Sequence, residues 1–375
     1  MKTSCQPGLP ALAGVISTPI NRIAPQYRPA WDGFSPAAQQ ALASYYLPHR
    51  SRQPWLGPTR PRLIKWYCPF ADQAHFPSGH RYCINVYTGC AHGCRYCYAT
   101  GYGPEVAGCK KDFPRLLAAD LADLEQFDVP PAPVHISNST DPFQPLELAA
   151  RHTLMTLEAL LAHRHRFTTV VILTRNPLLA IRPEYLRLLQ SLNCSARVPG
   201  GPAAVPGGIQ VEVSLAFWRE AARTFWDPHA PSVQERIEGL RVLRNAGLPV
   251  ILRIDPLFPR SDARIRAGKF GLVEAQSAED LEQLVLLARE LQAVRVVYST
   301  VKIVKPRYRP LDGPRLGLKH FCEELAAGEK LPFRGGSWRL PGQYAQAAVV
   351  EPFLEVCDRF TMPAAFCMAN LLATH

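Results

Sequence analysis

No stretch of the 375-residue sequence reaches the ~18 to 20 uninterrupted apolar residues that span a bilayer, so no transmembrane helix is expected. The N-terminus lacks the basic-then-apolar layout of a secretion signal, and the expected compartment is the cytoplasm. Charged residues are scarce, at 19% against 47% hydrophobic, which leaves ample apolar material for a large core and no compositional case for wholesale disorder. Acidic residues are the scarcer charge. With 31 Asp and Glu against 42 Lys and Arg, the formal charge is +11, which attracts phosphates or an acidic partner and equally suits a solvated basic surface. A disulfide framework is not expected in a reducing cytoplasm, so the eleven cysteines read as metal ligands, catalytic thiols or buried small hydrophobes.

Residues 1–60 carry many prolines and the basic run His49-Arg50-Ser51-Arg52, the composition of an extended arm. From about residue 82, short apolar runs alternate with helix-period segments. The strand candidates are Cys83 to Tyr87, Val134 to Ser137, Thr169 to Thr174, Ile209 to Ser214, Val250 to Ile254 and Val294 to Tyr298. Between them lie amphipathic stretches through Leu154, Leu157 and Leu160, through Ile237, Leu240 and Leu243, and through Leu281, Leu284 and Val285. The second opens near Ser232 and stops at Gly247, and the third starts at Ser277 with a capping-box pattern. Strands alternating with helices predict a parallel sheet whose helices cover the outside of a barrel. Residues 198–208 have no periodicity and read as a loop, and the last 70 residues, from about Lys305, read as a C-terminal extension.

Thr88-Gly89-Cys90-Ala91-His92-Gly93-Cys94-Arg95-Tyr96-Cys97-Tyr98 places three thiolates at C-x3-C-x2-C spacing just after a strand. Such a loop can wrap three irons of a cubane, with Gly89 and Gly93 relieving the backbone where it bends closely. Three ligands leave a fourth iron open to bind a substrate, much as a catalytic zinc keeps one free position. The competing reading is a zinc knuckle, which wants a fourth Cys or His; His92 sits awkwardly inside the loop for that role.

The arrangement resembles the radical S-adenosylmethionine superfamily. Adding Asn85-Val86-Tyr87-Thr88-Gly89-Cys90, Ser139-Thr140-Asp141-Pro142-Phe143-Gln144-Pro145 and Thr174-Arg175-Asn176, it is similar to the spore photoproduct lyase-like branch over about residues 80–300. The resemblance implies an α/β fold, a partial parallel (β/α)6 barrel of radical SAM type at 61–304, between an N-terminal arm (1–60) and a C-terminal extension (305–375). It implies a [4Fe–4S] cluster on Cys90, Cys94 and Cys97, and S-adenosylmethionine chelated to the open iron and cleaved to a 5′-deoxyadenosyl radical. It also implies an external one-electron donor of the flavodoxin or ferredoxin kind.

By resemblance, Thr140, Arg175 and Ser214 are the S-adenosylmethionine contacts, each keeping the expected hydroxyl or cation, with Asp141 beside them. Ser-Thr-Asp-Pro also suits an ordinary turn and cap. Glu212 and Ser214 share one strand face by the period of two, as do Arg253 and Asp255. Polar groups pointing into a barrel are costly unless paired or bound to a ligand, so Glu212 and Arg253 join the cofactor candidates, with a mutual Arg253–Asp255 pair as the alternative.

The family has two tyrosines that flank the third cysteine and pass a hydrogen atom, and Tyr96 and Tyr98 match them. The family's hydrogen-donating Cys of the second loop is replaced here by Asn138, and an amide does not donate hydrogen atoms as a thiol does. Cys109 is a candidate substitute if its loop folds back over the cluster. Cys68, Cys83, Cys357 and Cys367 are either an auxiliary metal site or buried unreactive thiols. The implied substrate class is nucleic acid, undergoing lyase-type repair or base modification. The alternatives are a radical enzyme acting on a peptide or small metabolite, and a non-catalytic zinc-binding adaptor for nucleic acid.

Overall fold

The structure, a computed structural model, describes residues 62–65, 81–104, 106–126, 131–194, 208–262 and 264–367. The expected arm, Cys68 and nearly all of the 198–208 loop lie outside the described residues. The strands, in chain order, are β1 (Ile64–Lys65), β2 (Tyr82–Ile84), β3 (Tyr87–Thr88), β4 (Gly108–Cys109), β5 (Ala132–Ile136), β6 (Phe167–Thr174), β7 (Ile209–Ser214), β8 (Val250–Leu257), β9 (Val296–Thr300), β10 (Ile303–Val304), β11 (Phe333–Arg334), β12 (Ser337–Trp338) and β13 (Ala364–Phe366). The main sheet has eight strands in the order β1-β2-β5-β6-β7-β8-β9-β13. Every neighbouring pair from β2 to β13 is parallel, and β1 closes the other edge antiparallel to β2.

The six expected strands are therefore the consecutive parallel array β2 and β5 to β9. They have nearly continuous apolar runs because helices cover one face and neighbours pack along the other. Val170 and Ile172 of β6, Val211 and Val213 of β7, and Leu252 and Ile254 of β8 are fully buried. The covering helices start and stop where their end chemistry dictates. Ser232 Oγ accepts from Glu235 N at 3.2 Å while the Glu235 carboxylate accepts from Ser232 N at 2.7 Å, and the helix Val233–Asn245 ends before Gly247 at φ +79°. Ser277 and Asp280 make the same reciprocal pair at the head of Ala278–Glu290.

Two features depart from the sequence expectation. The first run splits: Tyr82–Ile84 stays in the sheet, while Tyr87–Thr88 leaves it and pairs antiparallel with Gly108–Cys109. Asn85, between them, is held by Ser139 N donating to its Oδ1 at 3.0 Å. At the far edge, Ala364–Phe366 adds a strand beside β9, tied by Val296 N to Pro363 O at 2.8 Å and Cys367 N to Tyr298 O at 2.6 Å. The C-terminal segment thus becomes part of the sheet.

β1, only two residues long, is fixed by the buried Asp120, whose Oδ2 accepts from Leu63 N at 2.6 Å and Ile64 N at 2.8 Å. On the inner face of β5 and β7 to β9, polar side chains interrupt the apolar pattern at His135, Glu212, Ser214, Arg253, Asp255 and Ser299, all in the wall of one cavity. Among the described residues no helix is long and apolar enough to cross a membrane.

Candidate active site

The cysteine loop follows β3. Gly89 has φ +63°, and a Cβ there would lie 2.3 Å from Val106 O, so glycine is needed both for the turn and for the close approach of the facing chain. The loop is pinned by Ala91 N to Gln144 Oε1 at 2.9 Å and Arg95 N to Trp226 O at 2.9 Å. His92 turns away from the thiols into the protein, its Nε2 3.1 Å from Asp141 Oδ2 and its Nδ1 3.4 Å from His229 O. It takes no part in a ligand set with the three cysteines.

Cys90, Cys94 and Cys97 all face a cavity of about 930 Å³. Burial, then Asp141 and Cys97, push the Cys90 thiol up to about 12. Burial also lifts Cys94 well above the ordinary thiol value, with Arg175 opposing. Each of these two thiols thus feels its neighbours' charge, and metal loading would have to release their protons. Among the described residues no three Cys, His, Asp or Glu side chains converge as the ligands of one metal ion. Three thiolates are the donor set that a [4Fe–4S] cluster takes, one on each of three irons.

The strand-end loops bring the other expected residues to the same cavity. Thr140, Asp141, Arg175, Glu212, Ser214 and Arg253 line it, as do Tyr96, Tyr98 and Asn138. Asp141 is spent on the chain itself: Oδ1 accepts from Phe143 N at 2.8 Å and Thr174 Oγ1 at 2.7 Å, and Oδ2 from Arg175 N at 2.6 Å. Burial opposes its charge, but His92 and these hydrogen bonds keep its pKa below the usual carboxylate range. It therefore fixes the backbone of Arg175. The Arg175 guanidinium gives Nη2 to Tyr96 Oη at 3.2 Å, stands 3.7 Å from Asp227 Oδ2, and leaves Nε without a hydrogen-bond partner among the described residues.

Glu212 and Arg253 meet one another, Nη1 to Oε2 at 2.6 Å, and Arg253 Nη2 also holds Asp255 Oδ2 at 2.5 Å. The alternative Arg253–Asp255 pairing is thus present, yet the buried Glu212 Oε1 still has no partner among the described residues. The Arg175 guanidinium and the unsatisfied carboxylate oxygen of Glu212, in one wall with the Thr140 and Ser214 hydroxyls, suit a zwitterionic ligand such as the amino-acid end of S-adenosylmethionine.

The two tyrosines differ in environment. Tyr96 is buried, edge-on to Phe217 and Phe258, and its phenol donates to Asp227 Oδ1 at 2.7 Å. Tyr98 is 37% exposed within the cavity and donates to the Asn138 carbonyl. The Asn138 side chain points elsewhere, its Nδ2 3.1 Å from Cys83 Sγ.

Cys109, the expected substitute thiol, is exposed on the β3–β4 hairpin and is not part of the cavity wall. The thiol that does face the cavity is Cys367, at the end of β13, 2.9 Å from Arg253 Nη2. Among the described residues Cys83, Cys357 and Cys367 do not gather as a metal site, and Cys68 lies outside them. The sequence does not single out Asp227, and it offers Cys367 only as an auxiliary metal ligand or a buried unreactive thiol. Neither lies in a periodic run: Asp227-Pro228 reads as an ordinary turn, and Cys367 reaches the cavity only because Ala364–Phe366 joins the sheet.

In sequence, no family model matches the chain and no curated protein matches it. In fold, it is similar to solved structures of spore photoproduct lyase. A cysteine-to-serine mutant superposes with TM-score 0.52 at 13% identity, covering 83% of this chain and 80% of that one. A cysteine-to-alanine mutant gives TM-score 0.53 at 14% identity, and the lyase complexed with dinucleoside spore photoproduct 0.52 at 14%, with the same coverage.

Proposed function

We propose that this chain, which has the partial-barrel fold of spore photoproduct lyase, is a radical S-adenosylmethionine enzyme acting on nucleic acid. The observation that carries the reading is the convergence of Cys90, Cys94 and Cys97 with Arg175, Thr140 and Ser214 on one cavity at the carboxyl ends of parallel strands. The three cysteines would hold a [4Fe–4S] cluster. Arg175 would meet the carboxylate of S-adenosylmethionine, and the Thr140 and Ser214 hydroxyls would flank it. When bound, the pair would supply reductive cleavage of the sulfonium to a 5′-deoxyadenosyl radical, with the electron delivered by a flavodoxin- or ferredoxin-like partner.

The chain's own residues orient and protect. Asp141 fixes the Arg175 backbone, and Tyr96, Phe217 and Phe258 form a dry wall behind the cysteine loop. Tyr98 presents its phenol inside the cavity. Asn138 is unsuited to give hydrogen to a substrate-centred radical, and that role falls to the Cys367 thiol.

Nucleic acid is favoured over a peptide or small metabolite by the charge of +11 and by the dinucleoside bound in a structure of the same fold. The test is anaerobic reconstitution with iron and sulfide. About four irons per chain, and an electron paramagnetic resonance signal altered by S-adenosylmethionine in the parent but not in Arg175→Ala, are expected. Binding of one zinc without an iron chromophore would overturn the reading.

A further inference from the structure

The cavity wall carries eight arginines and three lysines against four carboxylates, Asp141, Glu212, Asp255 and Asp312. All four carboxylates are committed: Asp141 to backbone and hydroxyl donors, Glu212 and Asp255 to Arg253, and Asp312 to Arg315. Lys65, Lys110, Lys302 and Arg339 make no ion pair with these carboxylates; Asp120 acts on Lys110 and Asp255 on Lys302 only as weaker influences than the neighbouring cation.

These four cations fall into two like-charged pairs. β10 and β12 pair antiparallel with Ile303 opposite Trp338, so one step further along the ladder Lys302 stands opposite Arg339. Like charges placed directly across a ladder repel. Arg339 helps burial to depress the Lys302 pKa. On the other side, Lys65 ends the edge strand β1 and Lys110 follows β4, and burial followed by Lys65 brings Lys110 down to about 8. One pair thus belongs to the β1 edge of the eight-stranded sheet and the other to the small three-stranded sheet β10-β12-β11 that follows β9, near the opposite edge. Tyr102, 49% exposed in the same wall, offers a ring face against which a base can stack.

We propose that Lys302 with Arg339, and Lys65 with Lys110, are two phosphate subsites that grip a single nucleic-acid strand on either side of the nucleotide held in the cavity. The inference rests on the nucleic-acid reading above and adds where and how the backbone is held. Repulsion within each pair is offset only when an anion sits between its members, which makes the subsites ready for phosphate and costly without it.

The test is fluorescence anisotropy of a labelled 12-mer oligothymidylate on the cluster-loaded protein without S-adenosylmethionine, across a salt series. The double variant Lys302→Ala/Arg339→Ala should bind at least about tenfold more weakly at low salt and lower the salt slope by about 1.4, the loss of two single-strand phosphate contacts. Lys65→Ala/Lys110→Ala should do the same, whereas Lys269→Ala, whose lysine pairs with Glu324 at 2.8 Å outside the cavity, should leave binding unchanged. Inorganic tripolyphosphate should raise the melting temperature of the parent, less that of either double variant, and not that of the variant lacking all four cations, which checks the subsites apart from strand binding.

A slope unmoved by both double variants would overturn the inference. So would tripolyphosphate binding that depends on these residues while the oligonucleotide does not bind. Because binding is read without S-adenosylmethionine, a chain that cannot cleave the cofactor yet loses slope in the variants contradicts the proposed function and leaves the subsites standing.

Discussion

The Tyr96 phenol and the Asp227 carboxylate are 2.7 Å apart in the buried wall behind the cysteine loop. Asp227 also accepts from the fully buried Arg236 Nη1 at 3.2 Å and faces Arg175 Nε at 3.7 Å. One carboxylate therefore ties the cysteine loop, the helix Val233–Asn245 and the Thr174-Arg175-Asn176 loop into a single unit.

Removing that charge leaves Arg236 buried without its ion-pair partner. Asp227→Asn is expected to lose about 3–5 kcal/mol of stability, read by urea melts at pH 7. Burial opposes the charge of Asp227, but Arg175, Arg236 and Tyr96 hold its pKa below the usual carboxylate range. Its stabilisation is thus full above the unfolded carboxylate value of about 3.9 and is lost as pH falls through the lower folded value. The parent should lose stability more steeply below pH 4 than the Asn variant, and parallel acid curves would contradict this.

The two tyrosines should separate by experiment. Tyr96→Phe strips a buried hydrogen bond to a charged group and should cost about 1.5–3 kcal/mol. Tyr98→Phe, at a partly exposed phenol, should leave the melting temperature nearly unchanged while lowering product yield per 5′-deoxyadenosine formed. The reverse pattern would assign the cavity role to Tyr96.

Thiol placement gives a third contrast. Cys109→Ala should leave turnover and product distribution as in the parent, because its side chain is outside the cavity wall. Cys367→Ala should divert products toward side reactions of an unquenched substrate radical, read by chromatography of the reaction mixture. Unchanged products in Cys367→Ala would remove that thiol from the account.

Lys110 sets a pH dependence for strand binding. Burial and Lys65 lower its pKa to about 8, with Cys83 and Asp120 opposing, so above pH 8 the free protein has lost that charge and a bound phosphate must restore it by proton uptake. Affinity should then fall by up to about tenfold per pH unit between pH 8 and 10, while Lys110→Arg stays flat. Parent affinity independent of pH over this range would contradict the subsite at Lys65 and Lys110.

Much of the fold is legible in the sequence because buried parallel strands are written as apolar runs; Ile209–Ser214 matches its run residue for residue. The cap pairs at Ser232 and Ser277 are equally local and equally readable. The residues that meet at the cavity are legible where a motif ties them to a strand end, as with Cys90, Thr140, Arg175 and Ser214. What sequence does not encode locally is what tertiary pairing decides. Ala364-Ala365-Phe366 carries no strand pattern, and only its place beside β9 brings Cys367 to Arg253. Lys302 and Arg339 are 37 residues apart, and only the β10–β12 register sets them face to face.

The most direct test of the central claim is chromatographic detection of 5′-deoxyadenosine after anaerobic cluster reconstitution, dithionite reduction and addition of S-adenosylmethionine, with Cys94→Ala alongside. The account predicts deoxyadenosine from the parent chain and none above background from Cys94→Ala. Intact S-adenosylmethionine with a fully reconstituted parent, or equal cleavage by the variant, would contradict it.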